Sequence, residues 1–170
     1  LAVELFADEE NGGFFLAERE RDALVARTKP LDDNPTPSGN SMLAHVLLRL
    51  ARIWGDDELE RRAVGVLRLV EPALARAPGA FGWALCALDL RLAPPSELAV
   101  VGPPDSEVAR AALARFEPNT VVAVGPSDEV PLLLGKELVE GRPAVYLCER
   151  FACQAPVVDA ENLSGTLTNS

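Results

Sequence analysis

The sequence has 170 residues, 48% hydrophobic and 25% charged, which is the balance of a globular protein with a substantial core. Its 26 acidic and 16 basic residues give a net charge of −10, which argues against binding to nucleic acid or to an anionic membrane. No apolar run approaches the roughly 20 residues of a membrane-spanning helix.

The first half of the chain has the periodicity of amphipathic helices. Residues 1–6 resemble the last turns of a helix, Asn11-Gly12 predicts a turn, and residues 18–27 predict a short helical or extended return. Three longer helices are predicted, at 41–54, 57–74 and 78–92. Their short connections predict antiparallel helical hairpins.

Three details of these helices can be compared with the structure. Pro72 is expected to kink or interrupt the second long helix. In the first, the predicted apolar stripe consists of Leu43, Val46, Leu47, Leu50 and Trp54. In the third, it consists of Phe81, Leu85, Leu88 and Leu92.

The pattern changes at Pro94-Pro95, where short apolar strands alternate with helices. The predicted strands cover 97–101, 120–124 and 143–148, and the predicted helices cover 105–116 and 159–167. A strand–helix–strand unit predicts a small parallel or mixed sheet. The fold class is therefore α+β (mixed α/β), with a helical hairpin region at 1–93 and a small α/β region at 94–170.

The loop from Lys29 to Ser41, KPLDDNPTPSGNS, is the candidate site. Its prolines and glycine exclude regular structure, and its polar side chains lead into a predicted helix N-terminus. Unpaired backbone N–H groups and the positive end of the helix dipole meet there, which favours a polar or negatively charged ligand.

Two interpretations of this loop stay open. Asp32 and Asp33 are candidates for a catalytic acid/base pair, because neighbouring carboxylates can acquire different pKa values. The simpler interpretation is an Asx-type turn. Likewise Ser38, Asn40 and Ser41 are candidate ligands for a carboxylate, phosphate or sugar hydroxyl, or else a plain helix cap.

The sequence contains no clear motif for a metal or cofactor site. His45 is the single histidine, so no catalytic triad or multi-histidine metal site can form within the chain. It is interpreted as a solvated neighbour of Arg49. Gly102-Pro103-Pro104 occupies the place of a phosphate loop, but it lacks the nucleotide-binding motifs and its prolines lack N–H donors. No metal, cofactor or nucleotide is expected.

The three cysteines, Cys86, Cys148 and Cys153, predict a reducing, cytoplasmic setting. Four residues separate Cys148 from Cys153, a spacing that fits neither a thioredoxin C-x-x-C motif nor a zinc site. Two structural thiols are favoured over a disulfide or a redox switch, so both cysteines are weak redox candidates.

Several segments, taken in order, resemble one family. They are GGFF at 12–15, the loop KPLDDNPTPSGNS followed by LLRLARIWGD, ALCALD near Cys86, and AVYLCERFACQAPV at 144–157. Together they resemble the YyaL-like and spermatogenesis-associated thioredoxin-domain proteins over nearly the whole chain. Members of that family carry a thioredoxin-like domain, a helical toroid of the six-hairpin glycosidase type and a small α/β portion.

Of the family's three parts, this chain resembles only the last toroid hairpins and the α/β tail. The activity of the thioredoxin-like domain is therefore not carried over. It implies that the 29–41 loop faces the toroid cavity, where relatives of that fold bind sugars. Lys29, Asp32, Asn40 and Ser41 are the residues carried over. Because three helices cannot close a toroid, the expected partner is a missing N-terminal part of the same chain or a second copy.

Two classes of function remain, and the sequence does not decide whether the chain is an enzyme. One is a wall of a carbohydrate-binding toroid, in which Asp32 or Asp33 is the acid/base and Asn40 and Ser41 position hydroxyls. The alternative is a non-catalytic module that packs against a thioredoxin-like domain or a partner protein. An exposed apolar patch on the Met42 helix would favour the alternative.

Overall fold

The computed structural model describes residues 1–18, 26–126 and 130–167. It has the expected mixed α+β fold, with two compact units. The first unit comprises 1–51 and 57–92, and the second comprises 52–56 and 93–170. Most of the predicted return at 18–27 lies outside the described residues.

The first unit is helical. Its helices are α1 (Ala2–Phe6), α2 (Gly39–Trp54, whose last residues belong to the second unit), α3 (Asp57–Leu74) and α4 (Gly82–Leu92). A short 3₁₀ helix at Pro78–Ala80 precedes α4, so the expectation of one continuous helix from residue 78 is wrong. Pro72 does not interrupt α3, which continues to Leu74, so the expected interruption is wrong; only two residues of the helix follow the proline.

The buried faces of α2 and α4 differ from the predicted stripes. Small residues line the core, including Ala44, Ala84 and Ala87, which are fully buried. Val46 is 40% exposed and Leu92 is 73% exposed, although both were expected to face inward. Alanines let helices approach closely, so the buried faces combine these alanines with leucines such as Leu47, Leu48 and Leu90.

The second unit is a small α/β structure. Its elements in chain order are β1 (Ser96–Val101), α5 (Glu107–Leu113), β2 (Thr120–Gly125), a 3₁₀ helix (Pro131–Leu133), β3 (Ala144–Glu149), β4 (Ala152–Cys153) and α6 (Ala160–Leu167). The strand order is β2-β1-β3-β4. β1 pairs parallel with β2 and antiparallel with β3, so the sheet is mixed, as expected.

Both faces of the sheet are covered. On one face Leu98 and Val100 pack with Val108 and Ala112 of α5. On the other face Ala99 packs with buried residues that include Val121, Leu132, Leu133 and Cys148. α5 ends before Phe116, which is 90% exposed, so its predicted inward position is wrong. No helix in the described part of the chain has the length and hydropathy of a membrane span.

Candidate functional site

Ser38 caps the start of α2. Its Oγ accepts the backbone N–H of Ser41 at 3.0 Å and lies 2.9 Å from Ser41 Oγ. Both side chains are buried, at 6% and 0% exposure. This is the usual geometry of a serine N-cap, in which the hydroxyl satisfies one N–H of the first helical turn.

Asn40 joins three parts of the first unit. Its Oδ1 accepts the N–H of Phe14 at 2.7 Å, and its Nδ2 donates to the carbonyls of Phe14 and Pro30, both at 2.9 Å. The side chain is 1% exposed. Both amide hydrogens are therefore used by the protein's own backbone.

Lys29 closes the turn between α1 and Phe14. Its Nζ donates to the carbonyl of Gly12 at 2.8 Å and forms an ion pair with Asp8. The Lys29 ammonium, followed by the N–H of Asn11, holds the pKa of Asp8 well below its usual range.

Asp33 fastens the loop to α4. Its Oδ2 accepts the N–H groups of Trp83 at 2.8 Å and Ala84 at 3.2 Å, and its Oδ1 accepts the N–H of Ser38 at 2.8 Å. A carboxylate here satisfies free N–H groups at the positive end of the α4 dipole. Asp33 thus caps a helix from a distant loop.

Asp32 is the exception among the predicted site residues of this loop. Its side chain is exposed, and no hydrogen bond or ion pair joins it to another described residue. The two neighbouring aspartates therefore differ in role: Asp33 is bonded into the fold, whereas Asp32 faces solvent.

Trp83 is a surface residue that the sequence interpretation missed. It lies in the first turn of α4, is 41% exposed, and packs edge-on against His45, with ring centroids 6.3 Å apart. Burial, and then the charge of Arg49, lowers the pKa of His45. The available signal was that Trp83 falls outside the predicted stripe of its helix.

Met42 and Val46 lie one turn apart on α2, on either side of His45, and are 36% and 40% exposed. Met42, Val46, His45 and Trp83 are called the α2–α4 apolar face below. This face lies beside the segment that carries Asp32, since Asp33 binds the backbone of Trp83.

The second unit has an open groove of about 640 Å³ beyond the ends of β1 and β2. Gly102, Gly125 and Lys136 contribute to its lining. Lys136 is 8% exposed, and its burial lowers the pKa of its ammonium group. The expectation that Gly102-Pro103-Pro104 does not bind a nucleotide stays a prediction.

Cys148 and Cys153 form a disulfide, so the favoured interpretation of two structural thiols is wrong. The physical reason is the short hairpin of β3 and β4, which places Cys148 directly opposite Cys153. Cys86 is free and exposed. Within the described residues no group of three or more metal-ligating side chains is assembled.

In structural terms the protein is a helical unit followed by a small mixed α/β unit. Its sequence is similar to spermatogenesis-associated protein 20 of Rattus norvegicus and of Mus musculus, each 30% identical over 167 residues and 91% of this chain. An uncharacterized protein of Caenorhabditis elegans is 28% identical over 159 residues, which are 89% of this chain.

The chain spans about a fifth of the length of these relatives, 21% of the two mammalian proteins and 22% of the nematode protein. No protein-family model matches it. The similarity to the spermatogenesis-associated relatives is therefore supported, and the finer assignment to the C-terminal part of YyaL-like proteins stays a prediction.

Proposed function

We propose that the chain is a non-catalytic interaction module whose α2–α4 apolar face packs against other helices of a longer polypeptide. The observation that carries this proposal is the exposure of Met42 and Val46 beside His45, whose ring packs against the exposed Trp83. Exposed apolar side chains that cluster in this way are typical of protein contact surfaces.

The polar loop supports the same proposal. Four of its side chains form hydrogen bonds within the protein, which is a structural role; they belong to Lys29, Asp33, Ser38 and Asn40. A ligand would have to break these bonds, and buried polar groups without partners are costly. The relatives supply a reason for a longer polypeptide, since about four-fifths of their length lies outside the matched part.

The test is hydroxyl-radical footprinting of this chain alone and of the product of its complete gene. We expect Met42 and Trp83 to be oxidised readily in the isolated chain and to be protected in the complete product. Phe116, which is 90% exposed on the second unit, serves as the reference residue. Equal oxidation of Met42 and Trp83 in both samples would contradict the proposal.

A second candidate function is the binding of a small sugar-like ligand beside the loop. The observation that favours it is an exposed aromatic ring, Trp83, next to a loop with one exposed carboxylate, Asp32. Binding sites for small molecules commonly combine an aromatic surface with a few polar groups. In this case Asp32, and not Asp33, would act as the acid/base.

This candidate is tested by melting the chain in the presence of a panel of mono- and disaccharides. A ligand that binds only the folded state raises the melting temperature with concentration. The shift should disappear in Asp32→Asn and persist in Asp56→Asn, a control outside the loop. A panel without any saturable shift would remove the candidate.

The expected cytoplasmic location also remains a proposal. It was inferred from the low cysteine count, and the Cys148–Cys153 bond works against that argument because disulfides persist mainly in oxidising compartments. The two observations agree if the disulfide is one that cellular thiols can open and close.

A further inference from the structure

Three side chains lie in one row across the sheet of the second unit. Glu97 on β1 is directly opposite Cys148 on β3, and Cys148 is directly opposite Cys153 on β4. Directly opposite residues of antiparallel strands have Cβ atoms about 4.5–5.5 Å apart and point to the same face. A carboxyl group therefore neighbours the disulfide.

The two sulfur atoms differ in access. Cys148 is 1% exposed and packs in the core with Ala99 and Val121, whereas Cys153 is exposed on a strand of two residues. A thiolate approaching from solvent would reach Cys153 first. Cys148 would then be the buried leaving group.

Glu97 is an unusual residue for a core position. It is 1% exposed, and its Oε2 accepts no hydrogen bond from the described residues. The carboxylate receives the backbone N–H groups of Phe151 and Arg150, which form the turn between the two cysteines. Burial raises the pKa of Glu97, which favours the protonated form.

We propose that Cys148–Cys153 is a thiol–disulfide exchange site for a small or protein dithiol, in which Cys153 is attacked and Glu97 gives a proton to Cys148. This function is independent of the α2–α4 apolar face. It concerns a different unit and a different chemistry.

The exchange proceeds in two displacements. A thiolate of the dithiol forms a bond with Cys153 Sγ, the Cys148–Cys153 bond breaks, and the Cys148 thiolate takes the proton of Glu97. The second thiolate of the dithiol then attacks the dithiol sulfur that is bonded to Cys153. Cys153 leaves as a thiolate, which solvent protonates. Two electrons pass to the cystine, the dithiol becomes a disulfide, and solvent returns a proton to Glu97.

The first experiment counts alkylated cysteines by intact mass, with Cys86 as an internal reference because it is free and exposed. The folded chain should take one label, on Cys86, without reductant, and at least one further label, on the exposed Cys153, after incubation with dithiothreitol in the absence of denaturant. Three labels before reduction, or no label beyond the first after dithiothreitol unless denaturant is added, would overturn the proposal.

Single-cysteine variants test which sulfur is attacked. Cys148→Ser leaves Cys153, which should form a mixed disulfide with oxidised glutathione at least about tenfold faster than the Cys148 left in Cys153→Ser. Equal rates, or the reverse order, would contradict the assignment of Cys153 as the attacked sulfur.

The role of Glu97 is tested by the pH profile of reduction by dithiothreitol. Glu97→Gln keeps an oxygen that can accept the turn N–H groups but cannot donate a proton as an acid. It should slow reduction about tenfold or more and flatten the pH profile. The charged groups that influence Glu97 are Arg52, Lys136 and Glu149.

Glu107→Gln is the control, because Glu107 is exposed on α5 and is not among the charged groups that influence Glu97. It should keep the wild-type rate and profile. An unchanged rate in a folded Glu97→Gln variant would remove Glu97 from the mechanism. If that variant does not fold, the single-cysteine pair still decides whether Cys153 is the exchanging sulfur.

Discussion

Asp32 and Asp33 show how much a single position matters in this loop. Asp33→Ala removes the acceptor for the N–H groups of Trp83 and Ala84 at the start of α4. We expect a loss of about 1–3 kcal/mol in the free energy of unfolding, because a helix cap disappears and two donors lose their partner. Denaturant unfolding monitored by circular dichroism measures it.

Asp32→Ala is the control in the same loop, since Asp32 is exposed and has no bond to another described residue. Its free energy of unfolding should stay within about 0.5 kcal/mol of the wild type. Equal losses in the two variants would show that Asp33 does not act as the cap of α4.

The ion pair of Lys29 and Asp8 predicts a dependence of stability on pH. The pKa of Asp8 is lowered in the folded state, so the unfolded chain binds more protons at low pH. The resulting stabilisation is present above the unfolded pKa of about 3.9 and is lost as the pH falls through the folded value. Lys29→Met should therefore have a lower free energy of unfolding than the wild type at neutral pH. The difference between the two proteins should become smaller in acid.

The measurement is denaturant unfolding of the wild type and of Lys29→Met at several values of pH, from neutral to strongly acidic. Arg110→Met is the control, because Arg110 is an exposed cation on α5 of the second unit. Its difference from the wild type should not change with pH. A constant gap for Lys29→Met would mean that its ammonium does not set the pKa of Asp8.

The sequence located this loop but left open what its residues do. Proline, glycine and the Ser-Gly-Asn-Ser pattern mark a helix start, which is local information. The partners of Asn40 and Asp33 are Phe14 and Trp83, which are 26 and 50 residues away in the sequence. Such contacts depend on the tertiary fold, so no local pattern predicts them.

At the scale of elements, the turn between β3 and β4 is strained. Arg150 and Phe151 have φ values of 47° and 68°, a left-handed conformation that is unfavourable for residues with a Cβ atom. Arg150→Gly should relieve this cost and raise the free energy of unfolding by up to about 1 kcal/mol, after the larger entropy loss of glycine is subtracted.

Ala152→Gly is the matched control on β4, where φ is not positive. It should lower the free energy of unfolding by about 0.5–1 kcal/mol, since glycine only adds freedom to the unfolded chain there. Thermal and denaturant unfolding of both variants give the comparison. Destabilisation by Arg150→Gly would show that the arginine side chain, and not the backbone, governs the turn.

The same hairpin shows why some elements escaped prediction. β1 and β2 were predicted almost to the residue, because continuous apolar runs mark buried strands. β4 has only two residues, both exposed, and thus no pattern of its own. A C-x₄-C spacing predicts a disulfide across a hairpin only if a two-residue turn between the strands is already known. The Cys148–Cys153 disulfide therefore depends on the strand topology, which the motif alone does not specify.

At the scale of the whole molecule, charge and apolar exposure oppose each other. The net charge of −10 favours repulsion between copies, whereas the α2–α4 apolar face favours contact. Salt screens the repulsion over a Debye length of about 8–10 Å and leaves apolar contact in place. Self-association of the isolated chain should therefore increase with moderate salt.

Val46→Lys tests whether this face is responsible, since a lysine at a position that is 40% exposed adds charge without disturbing the core. The variant should keep the melting temperature of the wild type and sediment as a monomer at protein and salt concentrations where the wild type associates. Leu113→Lys, on α5 of the second unit at 55% exposure, should associate like the wild type. If both variants reduce association equally, the effect is not specific to the α2–α4 apolar face. Loss in Val46→Lys alone means that the α2–α4 apolar face is the surface through which copies of this chain associate, as expected of an apolar face that lacks its partner.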